Sequence, residues 1–369
     1  MTKTKLSPRQ LMILSSGFSF GTVPLFLPSD IAGLAGPDVW LSILLGTTVG
    51  LLFIWMYAKL GELNPGKTLV EIIRRYFGKW AGGVVALFFI FSGLVLADQI
   101  VWYIGKFVHT EFTSALPFLP LHAFFIIVLV FALYCGVETM YRTTELFFAI
   151  TFPFIIVIIL LLIPNMKPDN LLPVMEKGVV PVLKGGIPFL TRCVLPLVFL
   201  NMVYPACFEN VKQAKKALFK GYFLGIFTNL ITVTTCVLVM GSDLIANIRF
   251  PMFITNKEID VFVIFSRLEA TTFAIWVVVS FISTFCYSYA GILGLAQLLN
   301  LKDYRILVLP MGLLLTVYSL DIYKETAYEI HWDATVWPPL SLTLGFILAF
   351  ILLILSVIRE RRRKRELSE

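Results

Sequence analysis

The chain is short of charge. Asp, Glu, Lys and Arg make up only 14% of its 369 residues, against about 25% in water-soluble domains. Histidine is nearly missing: His109, His122 and His331 stand far apart, which argues against a histidine-built metal centre. The five cysteines (Cys135, Cys193, Cys207, Cys236, Cys286) show no CxxC spacing and lie in or beside apolar stretches. They read as small buried hydrophobes rather than a disulfide framework or a zinc site. No nucleophile elbow, P-loop, HExxH or glycine-rich nucleotide loop occurs, so enzyme chemistry has no visible carrier and no cofactor is expected. Low-complexity segments and a soluble domain are also missing. The N-terminal apolar run has no small-residue cleavage site, so it reads as an uncleaved first span.

Apolar sequence dominates what remains. Hydrophobic residues make up 58% and the mean hydropathy is +0.88, which makes this an integral membrane protein. The net charge of +7 does not point to nucleic acid, because the basic residues sit in short loops and at the C-terminus, where they set topology.

Ten spans can be laid out, at roughly 9–35, 39–60, 82–107, 121–138, 144–164, 187–207, 217–241, 270–299, 305–320 and 337–358. A bilayer core takes about 20 helical residues, so the ninth is short. Most lysines and arginines fall on one side if the N-terminus is cytoplasmic, which places both ends inside. The tail Arg359-Glu360-Arg361-Arg362-Arg363-Lys364-Arg365 then anchors the last helix to anionic lipid or docks a partner. Residues 61–81 look like an amphipathic helix on that side. The expected organisation is one transmembrane domain over 1–369, with repeat one at about 9–164, repeat two at about 187–358 and a basic cytoplasmic tail at 359–369. Five spans per half is an odd number, so the second half must enter the membrane inverted.

Two spans are interrupted by proline, one at the start of each half. The first contains Gly21-Thr22-Val23-Pro24 and then Pro28; in the second, Pro196 and Pro205 bracket Phe199-Leu200-Asn201-Met202. Proline lacks an N–H and clashes with the preceding turn, so the helix opens there. In hydrocarbon the freed backbone groups need partners, and paired interruptions in two halves are a pointer to a transporter-type binding site. A half-helix beginning beyond the first break suits a carboxylate. Asn201 could bond a ligand or satisfy open backbone. Arg192 could snorkel to the interface or attract an anion. Ser280, Ser283, Thr284, Tyr287 and Ser288 share a face of the eighth span and either pack between helices or, for Ser283 and Tyr287, line a cavity. Asp98 and Asp30 are candidate functional carboxylates, with an interface position as the alternative for both and pairing with another helix as a further one for Asp98. Glu138, Arg142 and Glu145 read as one structural ion-pair cluster.

Several stretches resemble the B subunits of spore nutrient-germinant receptors (GerAB type). They are Gly21-Thr22 with Leu27-Pro28, Pro37-Asp38-Val39-Trp40, Gly136-Val137-Glu138 with Arg142 and Glu145, Asn170-Leu171-Leu172-Pro173-Val174, and Arg267-Leu268-Glu269 with Trp276. That family belongs to the amino acid–polyamine–organocation superfamily. The resemblance implies an all-α integral membrane fold of ten transmembrane helices, a LeuT-like 5+5 inverted repeat with discontinuous helices 1 and 6. It also implies a germinant-sensing subunit in the spore inner membrane or cell membrane, working with A and C subunits and binding an amino acid or another small nutrient. The family's pocket falls on Thr22, Val23, Leu96, Phe199, Leu200, Ser283 and Tyr287, to which Pro24 and Asn201 are added from the breaks themselves. The chain departs from the family at Val23 and Pro24, and again at Leu200-Asn201, where a glycine is common. It also lacks a lysine in the fifth span. An amino-acid permease with the same site is the alternative function, and a structural subunit with a vestigial pocket is a third.

Overall fold

The structure is a computed structural model that describes residues 6–21, 25–208, 210–259 and 268–366, the side chains of Leu268 and Glu269 apart. Among the described residues there is no strand. The helices in chain order are α1 (Pro8–Phe20), α2 (Leu27–Ala35), α3 (Val39–Leu63), α4 (Leu69–Phe77), α5 (Trp80–Phe107), α6 (Phe118–Cys135), α7 (Val137–Leu162) and α8 (Val179–Phe189). They continue with α9 (Val211–Met240), α10 (Ser242–Ile245), α11 (Pro251–Lys257), α12 (Leu268–Leu298), α13 (Val308–Asp321), α14 (Thr326–Thr335), α15 (Trp337–Leu342) and α16 (Ala349–Glu366).

Nine helices among the described residues are long and apolar enough to cross a membrane, and the chain is a multi-pass membrane protein. Outward faces agree with that: Phe124, Phe131 and Val317 are 72%, 69% and 69% exposed, which lipid tolerates and water does not. The stretch expected as the first span, 9–35, is not one of the nine. It holds α1, of 13 residues, and α2, of 9 residues, and α2 runs on through a 3₁₀ turn at Gly36–Asp38 into α3. The ninth expected span is the 18-residue helical run Tyr304–Asp321.

Local sequence explains these boundaries. Ser7 accepts from the Gln10 amide at 3.2 Å while the Gln10 side chain accepts from the Ser7 amide at 3.0 Å, and Pro8 follows as the first helical residue, so α1 opens with a capping box. Thr68 and Glu71 do the same for α4. The expected amphipathic helix in 61–81 is therefore this shorter one, and it buries Leu69, Val70, Ile72 and Ile73 against the bundle.

α1 lies along α9, and α5 along α12. Glycine permits the first approach: a Cβ at Gly221 would collide with the Met12 carbonyl, and one at Gly225 would sit 2.7 Å from the Ser16 carbonyl. The charged set at the start of α7 differs from expectation. Arg142 bonds Glu138 at 2.8 Å, but Glu145 instead faces Arg9 of the N-terminal segment at 3.8 Å. Helical spacing put Glu145 within reach of Arg142, and the packing of α1 on α7 supplied a second cation.

Candidate functional site

The site begins with backbone that the prolines leave unpaired. Pro196 has no N–H for the Arg192 carbonyl one turn earlier. The chain accordingly passes from α8 through a wide π turn at Leu190–Val194 to a 3₁₀ run at Leu195–Met202. Neighbouring helices supply the missing donors, as hydrocarbon requires. Tyr57 donates to the Leu195 carbonyl at 3.1 Å and Ser341 to that of Thr191 at 2.8 Å. At the end of α1, Asn229 donates to the Ser19 carbonyl at 2.9 Å. Gly21 then turns the chain at φ +39, a left-handed value that favours glycine.

Between the two interrupted segments lies a cavity of about 60 Å³, room for on the order of five waters. Its wall is built by Phe26, Leu96, Gln99, Tyr103, Arg192 and Tyr287, with Ile100, Asp333 and Trp337 completing it. Leu96, Gln99 and Tyr103 sit three and four residues apart on α5, so one helix face presents all three. On the side towards the start of α5 the cavity ends in stacked aromatics. Tyr287 lies against Phe18 at 4.9 Å and Phe199 at 5.1 Å, and Phe199 stacks on Phe89 at 4.5 Å.

The opposite side is closed by charge and one aromatic pair. The Arg192 guanidinium lies 3.0 Å from Asp30 and 3.3 Å from Asp333. Tyr103 donates to the Asp333 carboxylate, its hydroxyl 2.9 and 2.8 Å from the two oxygens, and its ring rests against Phe26 at 4.8 Å. Beyond this closure opens a vestibule of about 630 Å³ that shares Phe26, Arg192 and Asp333 with the cavity. It is lined by equal numbers of acidic and basic side chains: Asp30, Glu329 and Asp333 against Lys184, Arg192 and Arg249. Arg249 bonds Glu329, which is 3% exposed. Burial raises the Glu329 carboxyl to about 7, with Arg249 pulling the other way and Asp333 adding repulsion.

The sequence-based candidates are placed unevenly. Thr22, Val23 and Pro24 lie outside the described residues, as does Arg267 with the Glu269 side chain. Leu96 and Tyr287 form cavity wall. Ser283 is buried beside Gly21, a Cβ on which would come 3.1 Å from the Ser283 hydroxyl; that hydroxyl has no partner among the described residues. Phe199 is in the aromatic stack behind Tyr287. Leu200 and Asn201 are buried, at 2% and 1% exposure, and the Asn201 side-chain nitrogen has no partner among the described residues. Asp98 is buried in α5 with one oxygen unpartnered among the described residues and is not on the cavity wall. Arg192 and Asp30, each left between an interface and a binding role, pair with one another. Sequence reasoning missed Phe26, Gln99, Tyr103, Asp333 and Trp337. The α5 pair could have been found from their spacing to Leu96. Asp333 lies in a polar stretch between spans and Trp337 at the very start of the tenth span, and neither carries such a signal. No group of three or more metal-ligating side chains occurs among the described residues.

Comparisons with known proteins bear on this geometry. A family model described as "Spore germination protein" matches residues 5–329. Spore germination protein KB of Bacillus subtilis (strain 168) is 25% identical over 374 aligned residues, covering 100% of this chain and 98% of the relative. Spore germination protein YndE of the same organism is 24% identical over 366, covering 98% and 99%. Among solved structures, the nucleobase-cation-symport-1 family transporter Mhp1, in a closed conformation with bromovinylhydantoin bound, superposes with a TM-score of 0.68 at 10% identity, over 95% of this chain and 78% of that one. The fold is thus the all-helical, LeuT-like transporter fold.

Proposed function

The chain belongs to the spore germination protein family, and on that premise we propose that it is the nutrient-sensing membrane subunit of a germination receptor. A small nutrient, an amino acid in this reading, sits between the interrupted segments, and its binding favours one of two states of a larger membrane assembly. A ligand transmits a signal only if it binds one state better than the other. The observation that carries the reading is the small cavity between the two interruptions, walled by Leu96 and Tyr287 and closed by the Arg192–Asp333–Tyr103 group. A vestibule lined by side chains of both signs supports a zwitterion over an ion of a single charge. Thr22, Val23, Pro24, Phe199, Leu200, Asn201 and Ser283 are assigned to the ligand's surroundings. Germinant receptor A and C subunits are the proposed partners, and the spore inner membrane or cell membrane the location, with both termini cytoplasmic as the lysine and arginine distribution suggests. The two repeats, at about 9–164 and 187–358, form one transmembrane domain.

A permease with the same site is the second reading, favoured by the transporter fold. Reconstitution separates them. Protein in liposomes should bind an amino acid without concentrating it inside. Robust concentrative uptake would establish the permease instead. If spores carrying cavity variants germinate with an unchanged nutrient dose-response, the pocket is vestigial.

A further inference from the structure

One face of α9 changes character along its length. Lys212, Lys216 and Lys220, four residues apart, occupy a single stripe of its first turns, with Lys215 three residues after Lys212 at its edge. The same stripe continues with Phe219, Phe223 and Phe227, and Phe223 and Phe227 are 49% and 58% exposed. At 1.5 Å per residue, the lysine section and the aromatic section are each about 12 Å long. Lys212, Lys215, Lys216, Lys220, Phe219 and Phe223 face an open cavity of about 520 Å³, with Glu62 of α3 across from them.

The charges in this cavity do not cancel. Among the described residues Glu62 is its one carboxylate. It is held 3.1 Å from Lys215 and 3.2 Å from Lys59. Among the described residues Lys212, Lys216 and Lys220 have no carboxylate partner. A cavity open at one end to cations and running at the other into exposed phenyl rings fits a molecule with an anionic head and an apolar tail.

We propose that this cavity binds the headgroup of an anionic phospholipid of the surrounding membrane. The phosphate sits among Lys212, Lys216 and Lys220, and the acyl chains lie along Phe223 and Phe227. Lysine ammonium groups reach the headgroup layer while their methylene stems cover apolar surface, and basic clusters at a helix end attract anionic lipid. The site is separate from the nutrient cavity and needs no part of the sensing reading. Because α9 carries the glycines on which α1 rests, the lipid would lie on the helix that supports the first interruption.

The test uses the full-length protein in neutral detergent. It is titrated with phosphatidylglycerol, with phosphatidylcholine of the same acyl chains, and with glycerol phosphate as the soluble headgroup. Retained lipid is counted by native mass spectrometry and thermal unfolding is followed in parallel. Phosphatidylglycerol should be retained and should raise the unfolding midpoint, and the other two should do neither. Replacing Lys212, Lys216 and Lys220 together by Gln should weaken retention roughly tenfold or more. The corresponding triple Arg variant should retain the lipid, which separates lost charge from lost fold. Replacing Phe223 and Phe227 by Ala should weaken retention with all the lysines in place. Wild-type retention by the triple Gln variant, or equal retention of phosphatidylcholine, overturns the proposal. Binding of glycerol phosphate as tight as that of the lipid overturns it in favour of a soluble anion.

Discussion

Arg192 and Asp333 meet 3.3 Å apart over the mouth of the inner cavity. Arg192 comes from the π turn that leads into the second interruption, and Asp333 from α14, outside the long helices. The same guanidinium holds Asp30 at 3.0 Å, just past the first interruption. One cation therefore ties both interrupted segments to a surface helix, and closure of the cavity depends on it.

Changing Arg192 to Gln should be costly, because it leaves Asp30 and Asp333 facing each other with no shared cation. Removing one partner of a buried pair costs about 3–5 kcal/mol. The partial exposure of Asp30, 35% for its side chain, places this case at about the lower end. Thermal unfolding in detergent should show the loss, and the triple change Arg192→Gln, Asp30→Asn, Asp333→Asn should recover much of it. A single Arg192→Gln as stable as wild type would show that the group is not a closure.

Gly21→Ala should destabilise by about 1–3 kcal/mol. Its φ of +39 disfavours any side chain, and the new methyl would come 3.1 Å from both the Phe18 carbonyl and the Ser283 hydroxyl. Adding Ser283→Ala should relieve only the contact with that hydroxyl, so the double variant should remain less stable than Ser283→Ala alone. Denaturation of the three variants side by side measures the difference.

Glu329 gives a pH dependence of defined sign. Its carboxyl is raised to about 7 in the folded protein, above an unfolded value of about 4.3. Between those values the folded state holds the extra proton, so stability falls as pH rises from about 4.3 to 7 and levels off above. The total contribution is at most about 4 kcal/mol. Unfolding midpoints for Glu329→Gln should be flatter than wild type across this window. Equal slopes would assign the pH dependence to other groups.

Nutrient response should follow cavity size. Leu96→Phe and Ser283→Leu each add volume beside Tyr287 or Gly21, where little space exists. The nutrient concentration for half-maximal germination should rise by roughly tenfold or more, as a pocket mismatch of 1–3 kcal/mol implies. Protein level in spore membranes, measured by immunoblot, should not change. Phe199→Trp should act in the same direction through Tyr287, against which Phe199 packs edge-on at 5.1 Å.

Much of the fold was legible because bilayer physics writes itself into sequence. Long apolar helices, the capping box at Ser7 and the wide turn ahead of Pro196 each follow from local rules: hydropathy, cap chemistry and a missing N–H. The site was legible in part. Leu96 and Tyr287 came from family resemblance, and Tyr287 also from the spacing of its helix face. Tyr103 and Gln99 share a face with Leu96 and were open to the same reasoning. Asp333 was not, since a single carboxylate between spans looks like any solvated loop residue.

The sequence by itself determined that this chain lives in a membrane, crosses it many times and leaves the regular helix ahead of Pro196, because each of these is a property of a residue and its near neighbours. Tertiary structure decided which side chains close the gaps. Glu145 turned to Arg9 instead of Arg142, and Arg192 found Asp30 and Asp333 together. Partner choice among buried charges depends on distances set by helix packing, and residues far apart in the chain carry no record of those distances in their local pattern.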